Sequence, residues 1–268
     1  MFKQLTPLQA QAHSRLRLKP ITDYAFANQE VFVPITIDEI GHVAREYPIV
    51  FRGAQPVPVA LLGVEQGHNA YVSPNGQWDA RYIPALLRHY PFAVRTMLLQ
   101  PGPEQQAEDR QTPPKRSRVI PLIDTAAPFW SETEGTPLFN VEGKPSSETE
   151  RILRQIQHDT VRLAATRKLV SSIVEANLLV ERKITIRSPD GSARQVSGIH
   201  TIDEKALNRL DHASFARLRD SGALPLIYAS LLSWSNFKLG PIGRSHPLPE
   251  QAQPTPQASF LDGDTIRF

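Results

Sequence analysis

The stretch that opens at Ser147-x-x-Glu150 and continues to about Leu178 reads as one helix, and the rest of the chain has to be arranged around it. Ser and Glu three residues apart form a capping box, each satisfying a backbone N–H that the first turn leaves open. Ile152, Ile156, Leu163, Val170, Ile173 and Val174 keep an apolar stripe, with Arg and Lys on the opposite face. At 1.5 Å per residue this helix is about 45 Å long. That is long for a chain of 268 residues. It serves either as the backbone on which a sheet packs or as the seam of a homodimer.

Before this helix the pattern is one of short strands. Residues 31–34, 49–51, 57–64, 92–98 and 119–123 are apolar runs bounded by turn residues. Thr36 or Asp38 caps a helix reaching about Glu46, and a second short helix covers about 83–89. Residues 101–118 hold four prolines, many charges and no large apolar side chain, which marks a surface insert between two strands. The first twenty residues read as a surface arm or a basic docking segment.

Beyond the helix, residues 183–187 and 195–202 flank the turn 188–192 as a hairpin. Asp203 and Asp211 cap two short helices, and Gly222 ends the second. Residues 224–237 are apolar nearly all round, predicting one buried helix. The expected fold is α+β, a mixed or mostly antiparallel sheet packed against the long central helix and the C-terminal helices. Residues 1–239 form one domain, and the Pro- and Gln-rich residues 240–268 a flexible tail.

The chemistry legible in the sequence is mostly exclusion. The chain has no cysteine, which removes disulfides, Cys-ligated zinc, iron–sulfur clusters and thiol nucleophiles. His13, His42, His68, His89, His158, His200, His212 and His246 show no metal-ligand spacing. His200 near Asp203 and Glu204 is the closest approach, and a structural role is expected for it. Neither a dinucleotide turn, a phosphate-binding loop nor a Gly-x-Ser-x-Gly elbow occurs, so no cofactor is implied. A balance of 30 basic against 27 acidic side chains lacks the excess of a dedicated nucleic-acid binder. No apolar run approaches the roughly 20 residues of a membrane span, and no secretory leader is legible. A cytoplasmic protein with no membrane span and no nucleic-acid partner is expected.

One dense patch remains. Trp78, Asp79, Arg81 and Tyr82 lie within five positions, just after the turn Ser73-Pro74-Asn75-Gly76, and Arg45 and Tyr47 repeat the Arg/Tyr-Pro flavour upstream. Arg forks a carboxylate and aromatic rings supply rigid contact area, so this set suits a carboxylate or a peptide backbone. The same residues also read as internal anchors, with Trp78 and Tyr82 holding a short helix, Asp79 capping it and Arg81 paired within the chain.

Leu16-Arg17-Leu18-Lys19-Pro20, Arg45-Glu46-Tyr47-Pro48-Ile49-Val50-Phe51, Pro58-Val59-Ala60-Leu61-Leu62-Gly63 and Trp78-Asp79-Ala80-Arg81-Tyr82-Ile83-Pro84 occur in that order. Tyr90-Pro91-Phe92, residues 198–204 and Ser221-Gly222-Ala223-Leu224 follow. This set resembles the SapC family of bacterial proteins, named for a surface-layer gene cluster, over about residues 1–238. The transporter permease of the same name is a different protein. The resemblance implies a link to surface-layer proteins, to TonB-dependent uptake systems and to tryptophan-halogenase-like enzymes. It supplies no catalytic residues. The resulting expectation is an accessory or binding protein acting on a protein or peptide partner in surface-layer, uptake or modification systems. The alternatives are a metal-dependent enzyme that modifies peptides or small molecules, with ligands from distant segments, and a structural homodimer subunit.

Overall fold

The computed structural model describes residues 1–98, 117–187 and 193–245. In chain order, β1 (Leu5–Pro7), α1 (Ala10–His13) and β2 (Arg17–Leu18) come first, then β3 (Phe32–Pro34), α2 (Ile40–Val43), β4 (Ile49–Arg52) and β5 (Val57–Leu61). The helix α3 (Ala85–Arg88) leads into β6 (Phe92–Leu98) and β7 (Ser117–Asp124), followed by the two-residue strands β8 (Trp130–Ser131) and β9 (Thr136–Pro137). The long helix α4 (Ser147–Glu175) precedes β10 (Leu179–Arg187) and β11 (Ala193–Ile202). Five short helices close the described chain: α5 (Glu204–Asn208), α6 (His212–Ser221), α7 (Leu224–Ser233), α8 (Ser235–Leu239) and α9 (Pro241–Ser245).

Among the described residues the strands form three antiparallel sheets, with orders β10-β11-β4-β5-β3, β1-β7-β6 and β8-β2-β9. The fold is α+β. The hairpin after α4 joins the strands of the first half through Ile199 opposite Arg52 and His200 opposite Phe51. The strands bordering the Pro-rich insert pair with each other, from Phe92 opposite Ile123 to Leu98 opposite Ser117. Residues 99–116, the turn 188–192 and the tail from residue 246 lie outside the described residues. The first twenty residues are woven into the fold rather than laid on it. β1 pairs with β7, and β2 is the central strand of its sheet. Gly135 lets β8 and β9 close round β2: its φ is +96°, and a Cβ there would sit 2.3 Å from the Leu18 carbonyl oxygen.

Helix α4 starts one residue earlier than the capping box implies. Ser146 is the N-cap, its Oγ accepting from the Thr149 N–H at 3.3 Å, and Glu150 instead pairs with Arg154 one turn on. The helix ends at Glu175, and Asn177 takes a left-handed φ of 53° that turns the chain into β10. Its stripe serves two cores. Ile156 packs with Phe92, Ile123, Leu138 and Phe139, while Val170 and Ile173 enter the main core with Val50, Phe51, Leu61 and Leu226. Between them Thr166 is fully buried. Its hydroxyl accepts from the Ile37 N–H at 2.9 Å and donates to the Arg162 carbonyl at 2.7 Å. Arg162 forks Asp38 at 2.6 and 2.7 Å. The apolar face is therefore covered within the chain, and Val174, expected on the stripe, is exposed. That corrects the dimer-seam expectation at Ile156, Leu163 and Val170, of which Ile156 and Val170 are buried and Leu163 half-buried within the same chain.

Two further expectations are revised. The apolar run 224–237 is two helices that meet at Trp234, and Leu232 and Leu239 are exposed. Serines make the inner contact: Ser233 Oγ accepts the Ile49 N–H at 2.8 Å and Ser230 Oγ donates to the Ile49 carbonyl at 2.9 Å. β11 pairs with Phe51 and Arg52 but does not reach Ile49, so these buried backbone groups need another partner. Second, the chain past Gly240 continues as α9, begun by Pro241, with Ile242 buried.

Placing a charge on the buried stripe tests this arrangement. Val170→Asp should cost at least about 3 kcal/mol in urea unfolding, whereas Val161→Glu, at an exposed position, should stay within about 0.5 kcal/mol.

Candidate functional site

Residues 62–84 connect β5 to α3 with little regular structure, so their backbone groups need other partners. Glu39 and Glu46 supply them. Glu39 is buried, as the N3 residue of a capping box with Thr36. It accepts the Thr36 N–H at 2.9 Å, the Thr36 hydroxyl at 3.1 Å, the Tyr82 hydroxyl at 3.0 Å and the Ala85 N–H at 2.7 Å. Glu46 accepts the N–H groups of Arg81 at 2.5 Å and Tyr82 at 3.1 Å.

Aromatic side chains fill the space beneath. The Tyr47 hydroxyl donates to the Tyr82 carbonyl and accepts from Trp78 Nε1 at 2.8 Å. The Tyr71 hydroxyl donates to the Glu46 carbonyl at 2.8 Å. Tyr47 and Tyr71 lie 4.5 Å apart, and Tyr71 stacks on Trp78 at 6.2 Å. Burial first, and then neighbouring carboxylates, raise the Tyr71 and Tyr82 phenols; burial also dominates at Tyr47. All three stay protonated and act as fixed donors.

The six residues singled out in the sequence thus divide. Tyr47 and Trp78 are internal anchors. Asp79 caps no helix; its carboxylate pairs with Arg244 of α9 at 2.7 Å. Arg45, Arg81 and Tyr82 converge on an open cleft of about 520 Å³ whose other walls are His42 and Glu46. The Tyr82 ring stacks on His42 at 4.9 Å and 13°. The Arg88 guanidinium also lies over the Tyr82 ring, 5.2 Å from its centroid, and donates to the Tyr82 hydroxyl at 3.2 Å. Among the described residues the Arg45 and Arg81 side chains make no ion pair and no hydrogen bond. Two free guanidiniums beside a rigid stacked pair can fork an incoming carboxylate and hold a planar group against it.

A second cleft, of about 530 Å³ and lined in part by Arg88, was not legible in the sequence. Beside it His89 Nε2 meets Asp159 Oδ2 at 2.6 Å, and Gln155 Nε2 donates to Asp159 Oδ1 at 3.1 Å. The one sequence signal is the register of α4. Asp159, like Thr166, stands where the 152–156–163–170 stripe calls for an apolar residue, and both reach buried polar groups. No sequence spacing connects Asp159 to a histidine 70 residues away. Among the described residues no three His, Asp or Glu side chains converge as a metal site would require. His200 lies on β11 with Nδ1 buried and unpartnered. No described helix is long and apolar enough to cross a membrane.

Burial pulls the His89 imidazole below its ordinary value, with Asp159 and Glu39 opposing and Arg88 assisting. Burial also acts to raise Asp159, but the hydrogen bonds from His89, His158 and Gln155 bring it below the usual carboxyl value. Both shifts mean that the unfolded chain binds protons first as pH falls. Stability contributed by neutral His89 is complete above its ordinary pKa of 6.5 and is lost as pH drops below it. In urea titrations from pH 7.5 to 5, His89→Gln should flatten this loss by up to one proton, about 1.4 kcal/mol per pH unit. Tyr47→Phe leaves Trp78 Nε1 and the Tyr82 carbonyl without their partner and should cost about 1–3 kcal/mol in the same assay.

Comparison with known proteins adds one result. The profile of the SapC family matches residues 8–239. No curated protein and no solved structure gives a significant match. The matched span contains both clefts and the segments that build them. On this match the chain belongs to the SapC family.

Proposed function

We propose that this SapC protein is an accessory or binding protein that engages a protein or peptide partner in surface-layer, uptake or modification systems. The partner is held through a carboxylate in the cleft of Arg45, Arg81 and Tyr82. The observation that carries the reading is the pair of unpartnered guanidiniums on one cleft. Arg88, Arg151, Arg154, Arg162 and Arg244 have partners and Arg15 and Arg167 do not, but Arg45 and Arg81 are unpartnered on one shared cleft. The cleft is also firm. Tyr82 is held at its N–H, its carbonyl and its hydroxyl, so a ligand meets a preformed surface and loses less entropy on binding.

The test is calorimetric titration of the full chain with short acidic peptides carrying a free C-terminal carboxylate, each against its amidated counterpart. The free acids should bind more tightly. Arg81→Ala should weaken them about tenfold or more while stability stays within about 0.5 kcal/mol, because the fold uses the Arg81 backbone N–H and not its side chain. Equal binding of acid and amide, or full affinity in Arg81→Ala, would contradict the reading.

A further inference from the structure

The second cleft plays no part in the reading above. Its walls are residues 18–21, the junction of α3 and β6, residues 135–138 and the first turns of α4. Leu18, Ile21, Phe92, Leu138 and Ile152 give it an apolar floor. Two nitrogen groups on it, His89 Nδ1 and the Lys19 ammonium, have no protein partner among the described residues.

The first is His89, which is only 8% exposed. An ionised Asp159 can only accept, so the 2.6 Å contact at Nε2 is an N–H donated by the imidazole. With the ring neutral, Nδ1 is then a bare lone pair. Among the described residues nothing donates to it. Unlike His200 Nδ1, it is not sealed inside the protein. A carboxylate fixing one imidazole nitrogen while the other is left open is the arrangement that orients a histidine toward a ligand. The second group is Lys19, half-buried on the cleft wall, whose ammonium has no carboxylate or hydrogen-bond acceptor among the described residues. The other acid on the cleft, Glu148, is committed to Arg151 by two hydrogen bonds of 2.7 and 2.9 Å.

We propose that this cleft is a second ligand site, which takes a small amphipathic acid carrying a hydroxyl or amide N–H. The apolar body lies on the floor, the carboxylate pairs with Lys19, and the O–H or N–H donates to His89 Nδ1. The donor is the discriminating element. A neutral imidazole presenting a lone pair cannot hold a carboxylate, and an analogue without the donor leaves that nitrogen unpaired in a largely buried position. The site is independent of the Arg45–Arg81 cleft, and failure of either leaves the other standing.

The experiment titrates the full chain with 3-phenyllactate, N-acetylphenylalaninate and 3-hydroxyoctanoate, alongside the donor-free 3-phenylpropanoate and octanoate. The readout is the ¹⁵N resonances of the His89 ring, assigned by their loss in His89→Gln. At least one donor-bearing acid should shift Nδ1 saturably, with its donor-free analogue about tenfold weaker. Lys19→Ala should weaken the same acid by a similar factor without changing the melting temperature. If His89→Gln does not fold, Lys19→Ala and the donor-free pairs carry the test. The proposal is overturned if none of the three acids shifts the His89 ring, if the donor-free analogues bind equally well, or if Lys19→Ala binds like the wild type.

Discussion

Two carboxylates from one short segment do for residues 81–85 what a neighbouring strand does for a β-strand: they accept its backbone N–H groups. Glu39 and Glu46 stand seven residues apart, one immediately before α2 and the other in the turn after it. One therefore reaches Tyr82 at its hydroxyl and Ala85 at its backbone, and the other the Arg81–Tyr82 peptide. A buried carboxylate such as Glu39 is costly unless its lone pairs are filled. Four donors fill them here, with no cation in contact among the described residues. Hydrogen bonds to a charged group contribute about 1.5–3 kcal/mol each, enough to order a stretch that has neither helix nor ladder. The position of Tyr82, and of the guanidinium that follows from Arg81, depends on this arrangement.

Helix α4 extends the same logic across the molecule. At 29 residues it is about 43 Å long, and it touches both cores without belonging wholly to either. Its apolar positions pack into each, and its polar exceptions make specific joins. Thr166 receives the N–H of Ile37 at the start of the segment that carries Glu39, and Asp159 holds His89 at the end of α3. Helix α4 thus lines the second cleft directly and is joined through Thr166 to the 36–46 segment that lines the first, while Arg88, on the second cleft, donates to Tyr82 of the first.

The elements set by local chemistry were legible in the sequence. The strands at 49–52 and 92–98, the Asp203 and Asp211 caps and the Gly222 terminus each rest on apolar runs, caps or a left-handed glycine that act within a few residues. Elements decided by tertiary partners were not. The run 224–237 is apolar enough to suggest burial all round, yet two serines bond the backbone of β4, and Leu232 and Tyr228 are exposed. The same divide runs through the candidate site. Clustering in sequence singled out Arg45, Arg81 and Tyr82, which line one cleft, but could not separate them from Tyr47 and Trp78, which hydrogen-bond inward. The His89–Asp159 contact joins segments 70 residues apart, and only the misplaced charge on the α4 stripe hinted at it.

On the proposed reading the unpartnered Arg45 and Arg81 guanidiniums form one receptor for a carboxylate, on a surface held in place by buried hydrogen bonds beneath it. The most direct measurement follows the Nε–H resonances of all arginines while a free-acid peptide is added to the full chain. The account predicts that Arg45 and Arg81 shift together along one saturating curve, while Arg162 and Arg244, already bound to Asp38 and Asp79, stay still. Shifts spread evenly over the exposed arginines, or a response at Arg45 and Arg81 with different saturation points, would contradict it.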